Sequence, residues 1–425
     1  MSKFICCTLV MSGLTVGIVA QNENRSTAVR PHRVVVTDNT AKVPKPTPTP
    51  IIVGSPVNRD SEVVTVPDSR PVPAPVTRQL SRNDERTLSF REIKSKLAEA
   101  KRTMQTRPIA TSSVGSVFEG VEMVRVAFHD WHTDEIDYVV MLKEVFLSTA
   151  GDKPMTSQNG RPIIIRTIRG NGVNTPITIM DDKGIAHLPL MVQYPVVREK
   201  KYHETAYYMS THPGLVTPEV VNAGRIYVRN VIEIAREKLN ERGIRIQPKT
   251  ADIAERLATV EHVDHLRFRT EPHQNIYNDV FTLFALNEGQ TYRYAVSTAG
   301  AGGMVQMIPS TYRMVRAQYP QVPLMPDFVE GMRDHVNAAQ AMLLYMQWTW
   351  DDLKSRPAVS NALLTGIATQ EQLMAAGYNS NPARLPGYIT RGGAGWANLI
   401  PRETKIYLQI YESLENNVPM TPRNK

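Results

Sequence analysis

The sequence predicts an α+β multidomain chain: a disordered Pro-rich tether, then a small β-rich module, then a mainly α-helical C-terminal domain. Three observations point there. Prolines crowd at Pro44, Pro46, Pro48 and Pro50 and again at Pro71, Pro73 and Pro75, a pattern of extended, polyproline-like linkers. Residues 113–197 carry β-branched and aliphatic runs broken by turn residues. Helical spacing and capping signals take over after residue 216. At 425 residues and 42% hydrophobic content, the chain exceeds one typical domain and has enough apolar residues for a packed core.

Residues 1–20, MSKFICCTLVMSGLTVGIVA, place one lysine before an uncharged apolar run that ends at Ala20. This is the layout of a secretory signal peptide. Ile18 is not a small residue at the position two before Ala20, so an uncleaved membrane anchor is the alternative, with a run of about seventeen residues at the short limit for a span. Either way the expected location is outside the cytoplasm: the periplasm or cell envelope, at the inner membrane if the segment stays attached. Both cysteines, Cys6 and Cys7, lie inside this segment. A mature chain without them has no disulfide framework, zinc-thiolate site or cysteine nucleophile.

Residues 21–110 are expected to form a disordered, basic, Pro-rich linker, with a short helix near its end in SFREIKSKLAEAKRTM. The formal net charge of +8 is concentrated here: residues 21–110 hold 16 Lys and Arg against 9 Asp and Glu, whereas residues 250–425 hold 15 against 16. A cationic tether suits anionic envelope polymers or a membrane surface as partners, and equally a linker kept soluble by self-repulsion. Nucleic acid is a poor partner, because the basic stretch lacks interleaved aromatics.

Residues 111–247 form the expected β-rich accessory module. Its strand-like runs are VEMVRVAF, DYVVMLKEVFLS, RPIIIRTI, TPITIM and LPLMVQYPVV, separated by turn signals at Gly170-Asn171-Gly172 and Asp181-Asp182-Lys183-Gly184. A helix closes the module, with Thr217 as cap, Pro218 in the first turn and Gly243 at the end. Two histidine clusters invite a metal reading: His129, Asp130, His132 and Asp134, and then His262 with His265. In an extended strand His129 and His132 point to opposite faces and cannot share a metal without a bend. On a helix His262 and His265 share a face, but two ligands do not make a tight site. The expectation is no metal.

The C-terminal domain is expected over residues 248–417, with a tail at 418–425. Its most informative stretch is residues 287–311, NEGQTYRYAVSTAGAGGMVQMIPST, in which Glu288 is the only carboxylate before Asp327. Val280, Phe281 and Phe284 precede it at helical spacing, and Gly289 is a helix stop. An acid at a helix C-terminus among apolar residues keeps its proton more readily, and so can donate it to a leaving oxygen. Most glycosidases use two carboxylates, whereas substrate-assisted ones use one.

Glu288, Ser297, Gly300, Ala301, Gly303, Met304, Gln306, Pro309 and Thr311 together resemble the signature of soluble-lytic-transglycosylase domains, which are lysozyme-like and belong to glycoside hydrolase family 23. Ala376-Gly377-Tyr378-Asn379 resembles that family's alanine-tyrosine-asparagine block. Pro401-Arg402-Glu403-Thr404 with Tyr407 resembles its closing helix, and Asn337-Ala338-Ala339-Gln340-Ala341 its linking helix. Four blocks in family order over roughly 130 residues are far more specific than one short motif. The chain departs from the pattern at Gly289, where serine is common, and at Ser380 and Asn381, where glycine is common; this implies altered substrate handling with the acid retained.

The resemblance implies cleavage of the β-1,4 bond between N-acetylmuramic acid and N-acetylglucosamine in peptidoglycan, leaving 1,6-anhydro ends. Glu288 would act as acid and then as base, with no metal or organic cofactor. It further implies that Ser297 and Gln306 hydrogen-bond the acetamido groups or Glu288, that Tyr378 and Asn379 orient the sugar and the carboxyl group, that Gly303 and Met304 line the glycan site, and that Glu403 contacts the stem peptide. Bland roles stand beside these: Gln306 satisfying a buried backbone group, Tyr378 as a core aromatic, Gly303 in a plain turn, Glu403 as a helix-dipole partner. A muramidase that uses water, and a weakly active glycan-binding component of an envelope complex, are the alternative functions.

Overall fold

The computed structural model describes residues 86–107, 109, 121–198, 201–287 and 300–424. The N-terminal segment 1–20 and the prolines of the tether lie outside them. No helix among the described residues is long and apolar enough to cross a membrane.

The α+β expectation holds: a curled antiparallel half-barrel sheet is joined to a set of helices. Helix α1 (Phe90–Thr106) opens the fold. Ser89 starts it with a capping box, accepting from the Glu92 backbone N–H while the Glu92 carboxylate accepts from the Ser89 backbone, worth about 1 kcal/mol. The sequence puts this helix at the end of a tether, yet Ile93, Leu97, Ala100 and Met104 are buried in one cluster with Ala127, Leu190 and Met209 of the sheet. Arg125, itself buried, donates to the carbonyls of Met104 and Arg107 at 2.9 Å each. Residues 90–106, which the composition assigns to the tether, therefore belong to the folded body.

The sheet comprises β1 (Met123–Asp130), β2 (Glu135–Leu142), β3 (Lys153–Thr156), β4 (Pro162–Thr167), β5 (Ile177–Asp181), β6 (Ala186–Arg198) and β7 (Lys201–Met209), in the order β2-β1-β6-β5-β4-β3, with β7 also on β6. All pairings are antiparallel. The thirteen-residue β6 serves three neighbours: His187 pairs with Ile179 of β5, residues 188–193 with β1, and residues 191–198 with β7. Register shifts at Ala127/Phe128 and Val196/Val197 mark bulges, which increase local twist and curl a sheet. The alternation in PIIIRT puts Ile163 and Ile165 inside and Ile164 out, as period two requires.

Two departures from the sequence reading concern this sheet. The run DYVVMLKEVFLS is not one strand: it turns at Leu142 into a short helix, α2 (Lys143–Leu147), which buries Phe146 and pairs Lys143 with Glu122. Strands β3 and β7 also lie outside the predicted runs. The four residues of β3 are half polar and pair with β4, whereas β7 mixes polar residues with Ala206, Tyr208 and Met209, which are buried in the core.

Helix α3 (Pro218–Asn240) has Thr217 as N-cap, accepting from the Val220 N–H, and Pro218 at its start, as expected. Its packing differs from expectation. Instead of closing the β module, it buries Val228, Val231, Ile232, Ala235 and Leu239 in the helical core, against α6 (His273–Leu286) and α9 (His335–Ser355). At Gly224 the two backbones meet: a Cβ there would lie 1.9 Å from the Phe281 carbonyl oxygen, so only glycine permits the approach.

The remaining helices surround this pair: α4 (Pro248–Val260), α5 (His265–Thr270), α7 (Pro309–Gln318), α8 (Phe328–Arg333), α10 (Pro357–Leu364), α11 (Gln370–Asn379), α12 (Leu385–Gly392) and α13 (Arg402–Asn417). Nor do residues 418–425 form a loose tail throughout. Arg423 is buried and reaches Glu233, Asp252 and Glu255 at 2.7 Å each, tying the C-terminal segment to α3 and α4.

Candidate active site

Helix α6 ends at Leu286, with Asn287 as its C-cap. Glu288 follows directly, and both Glu288 and Ser297 lie outside the described residues. The side chain of Asn287 is described: its Oδ1 accepts from the Met209 N–H of β7 at 3.0 Å. The last residue of the sheet is thereby bonded to the residue before the candidate acid.

Residues 302–307 form a tight turn. Gly302 and Met307 make a bridge, and the Gln306 N–H donates to the Gly303 carbonyl. Gly303 has φ +74°, and a Cβ there would sit 2.6 Å from the Met332 carbonyl oxygen. Gln306 has φ +47°, in the left-handed region that non-glycine residues seldom adopt. It is held there in part by its own amide, whose Nε2 donates to the Gly303 carbonyl at 3.0 Å. Such outliers persist only where the surroundings over-determine them.

The surroundings do so through three distant segments. His262, in the turn between α4 and α5, donates from Nε2 to the Met304 carbonyl at 2.8 Å and stands edge-on to Phe284 of α6. The Tyr378 hydroxyl of α11 donates to the Val305 carbonyl at 2.7 Å, while its ring stands edge-on to Tyr345 of α9. The Tyr407 hydroxyl of α13 donates to Glu261 at 2.8 Å, next to His262. Asn379 accepts from the Thr404 hydroxyl at 2.9 Å, joining α11 to α13. The segments 302–307, 376–379 and 401–407 are thus brought together next to the end of α6.

The structure distributes the sequence-predicted residues unevenly. Met304 is fully buried in the helical core and offers the site only its backbone. Gln306 is 2% exposed, and its amide meets a backbone carbonyl, as the bland reading anticipates. Tyr378 and Asn379 are half-buried and fix backbone and helix contacts. Glu403 lies half-buried in the first turn of α13, without a hydrogen bond or ion pair among the described residues. Ser380 donates to the Ala376 carbonyl at 2.8 Å and finishes α11.

Two cavities are lined by residues that follow the turn or bond to it. One, of about 350 Å³, is lined by Ser310, Thr311, Tyr345, Trp348 and Asn381. Trp348 is 40% exposed there. Burial pushes the Tyr345 hydroxyl up to about 12, so it is a neutral donor at physiological pH. Sequence reasoning missed both aromatics; the only available signal was their i, i+3 spacing on a helix that starts with Asn337 in its first turn. The other cavity, of about 460 Å³, lies between the sheet and the helices and includes His262.

A second polar cluster lies at one end of the sheet. The chain bends after Asp130, and Asp134 has φ +59°. His132 is thereby carried to Asp181, with Nε2 2.6 Å from Oδ2, while His187 lies 3.5 Å from both Asp130 and Asp181. Asp130, His132 and His187 place ligand-type atoms within 4.8 Å of one another. This is the bend that the metal reading lacked, and the third member comes from β6 rather than from His129. The groups already answer one another: Arg161 holds Asp130 at 2.7 Å, His187 Nδ1 accepts from the Trp131 N–H, and Asp181 accepts from the Lys183 and Ile185 N–H groups. Hydrogen bonds from His132, Ile185 and Lys183 override burial and bring Asp181 down to about 2. The other histidine pair does not share a helix face, because His262 lies in a turn and α5 starts at His265.

Compared with known proteins, the chain matches no family model, no curated protein and no solved structure.

Proposed function

We propose that this chain is a peptidoglycan lytic transglycosylase with a lysozyme-like C-terminal domain, cleaving the bond between N-acetylmuramic acid and N-acetylglucosamine through Glu288. One observation carries the reading: three sequence blocks that resemble the glycoside hydrolase family 23 pattern, spread from residue 302 to residue 407, are tied together by hydrogen bonds beside the helix that ends just before Glu288. The cavity lined by Trp348 and Tyr345 adds a surface suited to a sugar.

In the proposed reaction the protonated Glu288 gives its proton to the glycosidic oxygen, and the C1–O bond breaks with its electron pair going to that oxygen. The acetamido oxygen of the muramoyl residue attacks C1 to form an oxazolinium. The Glu288 carboxylate then removes the proton of the 6-hydroxyl, O6 attacks C1, and the oxazolinium opens to leave a 1,6-anhydro ring. Glu288 ends protonated, so one group serves both steps. The turn at residues 302–307 would hold backbone groups against the substrate without rearrangement, as preorganised sites require.

The test is mass spectrometry of the soluble products released from peptidoglycan sacculi by the wild-type protein and by Glu288→Gln. Muropeptides one water lighter than their reducing-end forms, released by wild type alone, are expected. Full-mass reducing ends would instead establish a muramidase. No release by either protein would sink the enzymatic reading in favour of a glycan-binding assembly component.

A further inference from the structure

The polar cluster at the rim of the sheet takes no part in the reaction above, and the fold assembles it from four separate places. Asp130 ends β1, His132 follows the bend, Asp181 ends β5 and His187 stands second in β6. Asp130, His132 and His187 each offer one ligand-type atom within 4.8 Å of the others. Asp181 belongs with them, because its Oδ2 lies 2.6 Å from His132 Nε2 and 3.5 Å from His187 Nε2.

The two carboxylates are not equivalent. In Asp130 both oxygens are engaged: Oδ2 holds Arg161 at 2.7 Å, and Oδ1 accepts from the His132 backbone N–H at 2.9 Å. Asp181 uses Oδ1 alone for its turn, accepting from the Lys183 and Ile185 N–H groups, and turns Oδ2 to the two imidazoles. Two nitrogens and one oxygen thus converge. Ligands about 2.1 Å from a tetrahedral ion stand about 3.4 Å apart, so the pair at 3.5 Å is already spaced for one and the pair at 2.6 Å has only to open slightly. Charge points the same way. Asp130 and Asp181 are 3% and 2% exposed, and Arg161 is the one Lys or Arg that pairs with either among the described residues. Buried charge is seldom left uncompensated. A metal ion needs no water-filled cavity, since it sits at bonding distance among its donors, and His132, with a side chain 24% exposed, opens the cluster to solvent.

We propose that this rim binds one divalent transition-metal ion of the zinc class, with His132 Nε2, His187 Nε2 and Asp181 Oδ2 as ligands and a fourth position facing solvent past His132. Two imidazoles suit zinc and its neighbours, whereas magnesium and calcium take oxygen ligands. Asp130 acts from behind His187. Its Oδ1 lies 3.5 Å from His187 Nδ1; with Nε2 on the ion, the ring proton moves to Nδ1 and toward that carboxylate, in place of the 3.3 Å contact from the Trp131 N–H. Carboxylates commonly orient metal-bound histidines in this way. The ion would pin the bend after β1 to β5 and β6, and the site is independent of any role for Glu288.

Titration calorimetry of the full chain, first stripped with a chelator, against Zn²⁺ tests this, with the visible absorption of added Co²⁺ reporting coordination geometry. One equivalent bound by wild type, with a tetrahedral Co²⁺ spectrum, is expected. His132→Ala should weaken Zn²⁺ binding at least tenfold, and so should Asp181→Asn, which keeps an oxygen for the two turn N–H groups. Asp130→Asn, acting through His187, should weaken it by a smaller factor. Thermal melting without metal checks that each variant folds. Zn²⁺ should then raise the midpoint of wild type and leave that of His132→Ala unmoved, because an ion that binds only the folded chain stabilises it; Mg²⁺ at the same concentration should move neither. No Zn²⁺ binding by wild type overturns the assignment and leaves a histidine–aspartate ion pair. Equal binding by wild type and His132→Ala, or an octahedral Co²⁺ spectrum, overturns it in favour of an ion held elsewhere on the surface.

Discussion

The turn at residues 302–307 and the rim of the sheet at Asp130, His132, Asp181 and His187 both gather residues far apart in sequence, but by opposite means. The turn is fixed by side chains that donate to main-chain carbonyls: His262 to Met304, Tyr378 to Val305 and Gln306 to Gly303. The rim is fixed by titratable groups that answer one another, with Arg161 on Asp130 and His132 on Asp181. The hydroxyl of Tyr378 and the amide of Gln306 donate to carbonyls without changing charge between pH 5 and 8, whereas the ionisable groups of the rim make local stability follow pH. A surface that must present fixed groups to a substrate is better served by the first arrangement.

The largest effect should come from breaking the frame on which the turn rests. Gly224→Ala places a methyl group against the Phe281 carbonyl and forces α3 and α6 apart, for about 3 kcal/mol, the upper end of overpacking costs. Chemical denaturation would show it as a lower midpoint, and an unchanged midpoint would mean that the two helices are not tightly packed in solution.

The rim should then reveal itself in acid. The folded-state pKa of Asp181 is depressed from 3.8 to about 2. The stability it contributes is therefore present above pH 3.8 and lost as pH falls toward 2, about 2 kcal/mol in all. Asp181→Asn should flatten the acid limb of a pH-dependent unfolding curve.

Tyr378→Phe sharpens the contrast from the other side. Removing the hydroxyl leaves the Val305 carbonyl without that donor, for about 1 kcal/mol of stability, and this loss should not vary between pH 5 and 8. A larger fractional loss is expected in glycan release than in stability, because the turn shape depends on this bond; equal activity would show that the turn holds without it.

The smallest effect is a change of slope. Burial lowers the pKa of His187 and of His129 below 6.5. The unfolded chain then takes up protons first, and stability falls as pH drops below 6.5. His187→Gln keeps an acceptor for the Trp131 N–H and should make that slope shallower in the same unfolding series.

Legibility followed the range of the forces involved. The cap at Thr217, Pro218 in the first turn and the alternating strand PIIIRT were readable because each depends on residues within a few positions. The helix with Asn337 in its first turn was expected from the family resemblance alone, and Asp334 caps it. Strand β7 was not readable, because its polar residues become a strand only against β6. Trp348 and Tyr345 were missed because helix periodicity alone does not tell an aromatic at a cavity from one in a core.

By itself the sequence determined the order of strand-rich and helix-rich segments and the start of α3 at Thr217 and Pro218, and it singled out Glu288 as a candidate acid. Only the tertiary structure decided that α1 belongs to the folded body, that α3 packs with the helices, that Gln306 adopts a left-handed backbone, and that a cavity opens between the sheet and the helices. Local propensity and capping act over a single turn of chain. Close approach and buried pairing exist only between residues that folding brings together across many positions, such as Gly224 with Phe281 or Tyr378 with Val305.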